Sequence, residues 1–283
     1  MTATGLGAAV ARLNGISLSY DVRGDGELVL LVMGTGSPGR VWHLHQVPAL
    51  LREGYRVATF DNRGIPPTSE CADGITIEEM VGDTAALIEH LGGGPARVVG
   101  TSLGARIVQE LALVRPDLVS RAVAMGAHAR LDAVGRALTT GEIALHDQGI
   151  VLPPQFHAAV KAVHNLSPAT RRTTSIQDWL DVFEMTGSEI GAGERAQLAL
   201  CAGMGDRRAA YGAITVPLLV MGFADDSTIP PYLSREVAEA VPGARYVEVP
   251  DTGHFGYLER PSAVNEIVID FLGERPTGDE KRT

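Results

Sequence analysis

Cysteine is scarce in this sequence: Cys71 and Cys201 are the only two in 283 residues. They lie far apart and in no metal-ligand or redox spacing, which argues against a disulfide framework and predicts free thiols. Basic residues are outnumbered, 24 Lys plus Arg against 34 Asp plus Glu, giving a net charge of -10. A chain of that sign has no general footprint for nucleic acid or an anionic membrane. The basic doublets Arg171-Arg172, Arg207-Arg208 and Lys281-Arg282 read as solvated surface. No stretch approaches about 18 consecutive apolar residues, and the opening MTATGLGAAVARLNG has no basic segment followed by a long hydrophobic one. Neither a membrane span nor a secretory leader is expected, so the expected location is cytoplasmic.

What is present is apolar material, 45% of the chain, enough for one sizeable core or a core with an inserted subdomain. Strand-like segments recur as ISLSYDV (from 16), LVLLVM (28), YRVATF (55), ARVVG (96), RAVAMG (121), PLLVMG (217) and ARYVEV (244). Several are continuous apolar runs, the mark of strands buried on both faces of a parallel sheet. Helical patterns alternate with them. LGARIVQELALV aligns Ile107, Val108, Leu111 and Val114, and PSAVNEIVIDFL opens at Pro261 and aligns Val264, Ile267, Val268 and Phe271. The expected fold class is α/β, a doubly wound, mostly parallel sheet. Between about residues 128 and 213 the alternation stops in favour of amphipathic helical pieces. The predicted organisation is therefore a core in two parts, 1–127 and 214–283, with 128–213 inserted as a helical cap. Both termini read as frayed, RPTGDEKRT at the end being too polar to pack.

Gly100-Thr101-Ser102-Leu103-Gly104 matches G-x-S-x-G, a weak signal alone in a glycine-rich chain. Its setting strengthens it, because a buried-type strand ends just before Ser102 and an amphipathic helix starts just after, as a nucleophile elbow requires. Glycines suit a turn that holds the serine in a strained conformation and brings strand and helix close. The helix N-terminus favours a developing oxyanion. A serine hydroxyl needs a base, and the base an orienting acid. FADDSTIPP and PDTGHFGYLERP supply both, each after a late strand, at the edge where α/β sheets assemble their sites.

These segments resemble the α/β-hydrolase family, and the likeness runs from about residue 16 to residue 273. FDNRG (60–64) resembles its D-x-R-G turn, DTGHFGYLERP its G-H-x-x-x-x-E-x-P ending, and LVMGTGSPGRVW its loop after the third strand. The resemblance implies Ser102 as nucleophile, His254 as general base and Asp226 as the acid, on its D-x-x-x-P spacing to Pro230, with Asp225 as the alternative. Backbone N–H groups of Thr35 and Leu103 would form the oxyanion hole. Met33 departs from the family, standing where many relatives have histidine; Pro66 and Thr68 replace the usual glycine and serine.

The expected activity is hydrolysis of an ester, lactone or thioester of a small, largely apolar molecule through an acyl-enzyme, with no metal or organic cofactor. An amide or peptide hydrolase, or an acyl transferase, is the enzymatic alternative, weakened because such peptidases often carry tryptophan where Leu103 stands. A ligand-binding receptor of the same fold with little turnover is the non-enzymatic one. The expected partner is a small-molecule substrate, and a homo-oligomer is left open. His43 and His45 have H-x-H spacing but no third ligand nearby, and read as ordinary helix residues. His128, just after a strand, is a candidate to line the pocket. Trp179, Leu180, Val182, Phe183 and Met185 read as cap core, and Glu184 and Glu189 as solvated faces rather than an amine-binding pair.

Overall fold

The continuous apolar runs of the sequence are the strands at the middle of the sheet, where both faces are covered. The structure is a computed structural model and describes residues 9–274. Its strands are β1 (Ala9–Leu13), β2 (Ile16–Arg23), β3 (Leu28–Val32), β4 (Arg56–Phe60), β5 (Ala96–Thr101), β6 (Val119–Met125), β7 (Leu218–Phe223) and β8 (Arg245–Val249). They form one eight-stranded sheet in the order β1-β2-β4-β3-β5-β6-β7-β8. From β4 to β8 every pairing is parallel, and β2 runs against both neighbours. All five residues of β3 are buried: Leu28, Leu30 and Val32 enter the core on one face, Val29 and Leu31 the core on the other.

Residues 1–8, at the amino terminus expected to fray, lie outside the described residues, and Ala9–Leu13 pairs along its length with β2. Its residues alternate between half-buried and exposed on the sheet edge, so it lacks the continuous apolar run by which the inner strands announce themselves. The polar ending RPTGDEKRT lies outside the described residues.

Between β6 and β7 the described chain has no strand and six helices: Ala133–Asp147, Pro154–Asn165, Pro168–Arg171, Ile176–Thr186, Ala192–Gly203 and Arg208–Tyr211. Ala158, Ala162, Leu166 and Phe183 form a small core there, joined by Trp179, Leu180 and Phe255. Val182 and Met185 are instead exposed. At about 100° per residue Met185 lies about 160° round the helix from Phe183, while Val182, about 100° from Phe183, sits at the margin of the buried face. The far end of the insertion, with Ala196, Cys201, Met204 and Tyr211, packs into the main core beside Leu103 and Ile107. Among the described residues no helix is long and apolar enough to cross a membrane.

The FDNRG turn after β4 is fixed by charge. Arg63 is buried and pairs through Nε and Nη2 with Asp83 of the helix Ile77–His90, at 2.6 and 2.8 Å. Its remaining Nη1 lies 2.6 Å from Glu79, which is largely exposed. A buried bidentate pair loses far more when one partner is removed than an exposed one. Asp83→Asn should therefore lower the unfolding free energy by about 3–5 kcal/mol in urea denaturation, whereas Glu79→Gln should cost less than about 1 kcal/mol. Equal costs would show that the buried pair is not what holds the turn.

Candidate active site

Loops that leave the carboxyl ends of five adjacent parallel strands, β3, β5, β6, β7 and β8, converge on one edge of the sheet. They carry Met33 to Gly36, Ser102, Gly126 to His128, Asp226 and His254 in that order. The parallel register brings the ends level, with Val32 opposite Gly100, Thr101 opposite Met125, and Phe223 opposite Val249.

Ser102 has φ 56° and ψ -120° and caps the helix Leu103–Val114. This conformation is costly for a residue with a side chain and persists only where the surroundings enforce it. Here they do. The Ser102 N–H donates to the Met125 carbonyl at 2.9 Å and its carbonyl accepts from Arg106 N–H at 3.1 Å. A β-carbon on Gly100 would overlap the Gly104 carbonyl, and one on Gly104 the Val32 carbonyl. Both glycines of the pentapeptide are thus required by close backbone approach. The first N–H groups of the helix, Leu103 included, have no intrahelical acceptor and face this edge.

Asp226 is the carboxylate that meets the histidine. Its Oδ2 lies 2.8 Å from His254 Nδ1, and its Oδ1 accepts from the N–H groups of Thr228 and Ile229 at 2.9 and 2.8 Å. Both Asp226 and His254 are buried. Asp225 is exposed, and its N–H donates to the Thr252 carbonyl at 2.8 Å, tying the two loops together. The E-x-P ending has a physical basis: Glu259 accepts from Gly253 N–H at 2.6 Å and from Ser167 N–H and Oγ at 2.9 and 2.8 Å. One carboxylate therefore fastens the histidine loop to the helical insertion. With Nδ1 engaged by Asp226, Nε2 is the ring atom left for Ser102. The hydrogen bonds bring His254 to Asp226 but not to Ser102 Oγ; the two share the edge through Met125 and Gly126, where a β-carbon would stand 3.5 Å from His254 Cε1. Such contacts are often long in the absence of substrate.

Thr35 stands beside this centre, and a β-carbon on neighbouring Gly34 would lie 3.7 Å from Ser102 Oγ. The Met33 carbonyl accepts from Asn62 Nδ2 at 2.8 Å, so this loop is held by FDNRG even without the histidine of many relatives. Thr68, at the other departure, is buried and accepts from Ser19 N–H at 2.9 Å. The insertion contributes residues that no local pattern marks. Gln197 takes the Gly36 N–H on Oε1 at 3.0 Å and gives Nε2 to the Arg63 carbonyl at 2.8 Å. Glu194 lies against Gly36, its carboxyl raised above the usual range by burial and by Glu142. Cys201 Sγ is 3.7 Å from Thr35 Oγ1, and burial pushes its thiol up to about 11. Glu184 and Glu189 are half-buried and exposed. His43 Nε2 bonds Thr59 Oγ1 at 3.1 Å, and among the described residues no three His, Cys, Asp or Glu side chains are grouped to hold a metal ion.

His128, after β6, is buried beside this centre, and its pKa is pushed down from 6.5 to about 3 by burial, then by Arg106 and His254. The unfolded chain thus binds this proton more readily than the folded one, and the associated stability is present above pH 6.5 and lost as pH falls towards 3. His128→Gln cannot titrate. Between pH 7 and pH 5 the unfolding free energy of the natural protein should fall by about 1–2 kcal/mol more than that of the variant; equal losses would contradict the assignment.

Comparison with known proteins agrees with this architecture. A protein of Mycobacterium tuberculosis provisionally named non-heme bromoperoxidase BpoC is 49% identical over 258 residues, 91% of this chain and 98% of that protein. Its crystal structure superposes with a TM-score of 0.86 at 45% identity, covering 96% of this chain and 98% of the other. The enol-lactonase of Burkholderia xenovorans gives a TM-score of 0.80 at 27% identity, covering 94% of this chain and all of that one (100%). A Variovorax paradoxus protein provisionally named carbamate hydrolase RutD is 28% identical over 260 residues, 90% of this chain and 96% of that protein. The family model for the alpha/beta hydrolase fold matches residues 27–261, and the chain belongs to that family.

Proposed function

We propose that the protein is a serine hydrolase that cleaves an ester, lactone or thioester of a small molecule through an acyl-enzyme on Ser102. The observation that carries this reading is the buried Asp226–His254 pair, 2.8 Å apart, at the same sheet edge as a serine held at φ 56°. A carboxylate on Nδ1 fixes the tautomer that leaves Nε2 to accept a proton, and it stabilises the imidazolium that then forms. His254 Nε2 takes the Ser102 proton as Oγ bonds to the substrate carbonyl carbon. The N–H groups of Thr35 and Leu103 hold the oxyanion. Collapse of the tetrahedral intermediate expels the alcohol or thiol, which receives the proton from His254. Water, deprotonated by the same nitrogen, then releases the acid and restores the serine.

Residues 128–213 act as the cap in this reading, closing over Ser102 and selecting the acyl group. Lactone and carbamate each present a carbonyl open to this attack, consistent with the names of the relatives. The bromoperoxidase name fits the same intermediate, since hydrogen peroxide in place of water would release a peroxy acid from the acyl-enzyme.

Ser102→Ala should fold as the natural protein does and lose more than about a thousandfold in kcat on activated esters, along with labelling by a fluorophosphonate. Full activity in that variant would sink the reading. Asp226→Asn should cost about a hundredfold or more, and Asp225→Asn less than about threefold; similar mild losses at both would contradict the assignment of the acid.

A further inference from the structure

Four main-chain groups of the loop that follows β6 are bonded to other elements. Gly126 N–H donates to the Met221 carbonyl at 2.9 Å, and the Ala127 carbonyl accepts from Ser234 Oγ at 2.8 Å. The His128 carbonyl accepts from Arg106 Nη1 and Gln109 Nε2, each at 3.2 Å, and the Ala129 carbonyl from Arg207 N–H at 2.9 Å. The backbone is thus anchored at four groups, yet the ring it carries is left without partners. His128 is 3% exposed, and neither Nδ1 nor Nε2 makes a hydrogen bond.

A neutral imidazole has one donor and one acceptor, and burying either unsatisfied costs about 1–3 kcal/mol. An apolar side chain would fill the same space without that penalty, so the polar ring implies a partner that the protein does not supply. Two residues before His128, a β-carbon on Gly126 would stand 3.5 Å from His254 Cε1 and 3.6 Å from Asp226 Oδ2. Arg106 is itself one helical turn beyond Ser102. The missing partner therefore belongs at the reacting centre.

We propose that His128 is a substrate-recognition residue whose ring hydrogen-bonds an oxygen substituent carried near the scissile carbonyl, so that the substrates are hydroxy- or oxo-substituted acyl esters or lactones rather than plain alkyl ones. This rests on the acyl-enzyme reading above and narrows it. One ring nitrogen donates to a keto or hydroxyl oxygen, or the other accepts from the hydroxyl; no proton is transferred. His128 contacts substrate, and the base remains His254, which holds the carboxylate.

The p-nitrophenyl esters of butyrate, 3-hydroxybutyrate and 3-oxobutyrate, each corrected for its rate with hydroxide, test this. The natural protein should show a kcat/KM at least about tenfold higher for an oxygenated ester than for butyrate. His128→Leu should lose about 10- to 100-fold on that oxygenated ester and less than about threefold on butyrate, and His128→Gln, which keeps a donor and an acceptor, should regain part of the loss. No preference in the natural protein, or equal losses on all three esters in His128→Leu, overturns the proposal. Fluorophosphonate labelling separates the two levels. An unlabelled Ser102 in the natural protein rejects the hydrolase reading itself, whereas a labelled Ser102 without ester preference rejects only the role of His128. If His128→Leu does not label, His128→Ala takes its place in the same comparison.

Discussion

At φ 56° and ψ -120°, Ser102 occupies backbone territory that an L-residue leaves unless everything around it forbids the alternatives. Gly100 and Gly104 allow the strand, the helix and the end of β3 to meet without a β-carbon between them. The Met125 carbonyl pins the turn from β6. A larger residue at either glycine would push the helix off the sheet and move the serine away from the histidine. The parallel register of β3, β5, β6, β7 and β8 then sets where the other groups arrive. The strain is local, but the sheet that enforces it is the main core of the molecule.

The helical insertion is bound to this edge at two polar points. Glu259 links the Gly253 N–H, one residue before His254, to Ser167. Gln197 links Gly36, next to Thr35, to the FDNRG turn that Arg63 and Asp83 anchor. A change in the insertion is therefore felt at both the histidine loop and the candidate oxyanion loop, without any contact to a substrate.

Legibility in the sequence follows the range of the interactions. The inner strands were legible because burial on both faces writes a continuous apolar run, and the helices Leu103–Val114 and Pro261–Gly273 because one face repeats. The edge strand Ala9–Leu13 has one exposed face and no such run, so no apolar pattern in the sequence marks it. Asp225 and Asp226 are adjacent, and the D-x-x-x-P spacing favours Asp226 over Asp225; the turn after β7 buries Asp226 and exposes Asp225. Gln197 and Glu194 carry no local signature, because their partners lie on other elements. Met185 shares hydrophobicity with Phe183 but not its helix face, which apolar content alone does not distinguish.

The proposed chemistry turns on a covalent bond between Ser102 Oγ and the acyl group of a substrate. Rapid acid quench of the protein during turnover of an activated ester, followed by intact mass and peptide mapping, observes that bond directly. An adduct of one acyl mass is expected on the peptide containing Ser102, accumulating in His254→Ala at high substrate and absent from Ser102→Ala. Turnover with no adduct on that peptide, or with the acyl group on a different residue, would contradict it.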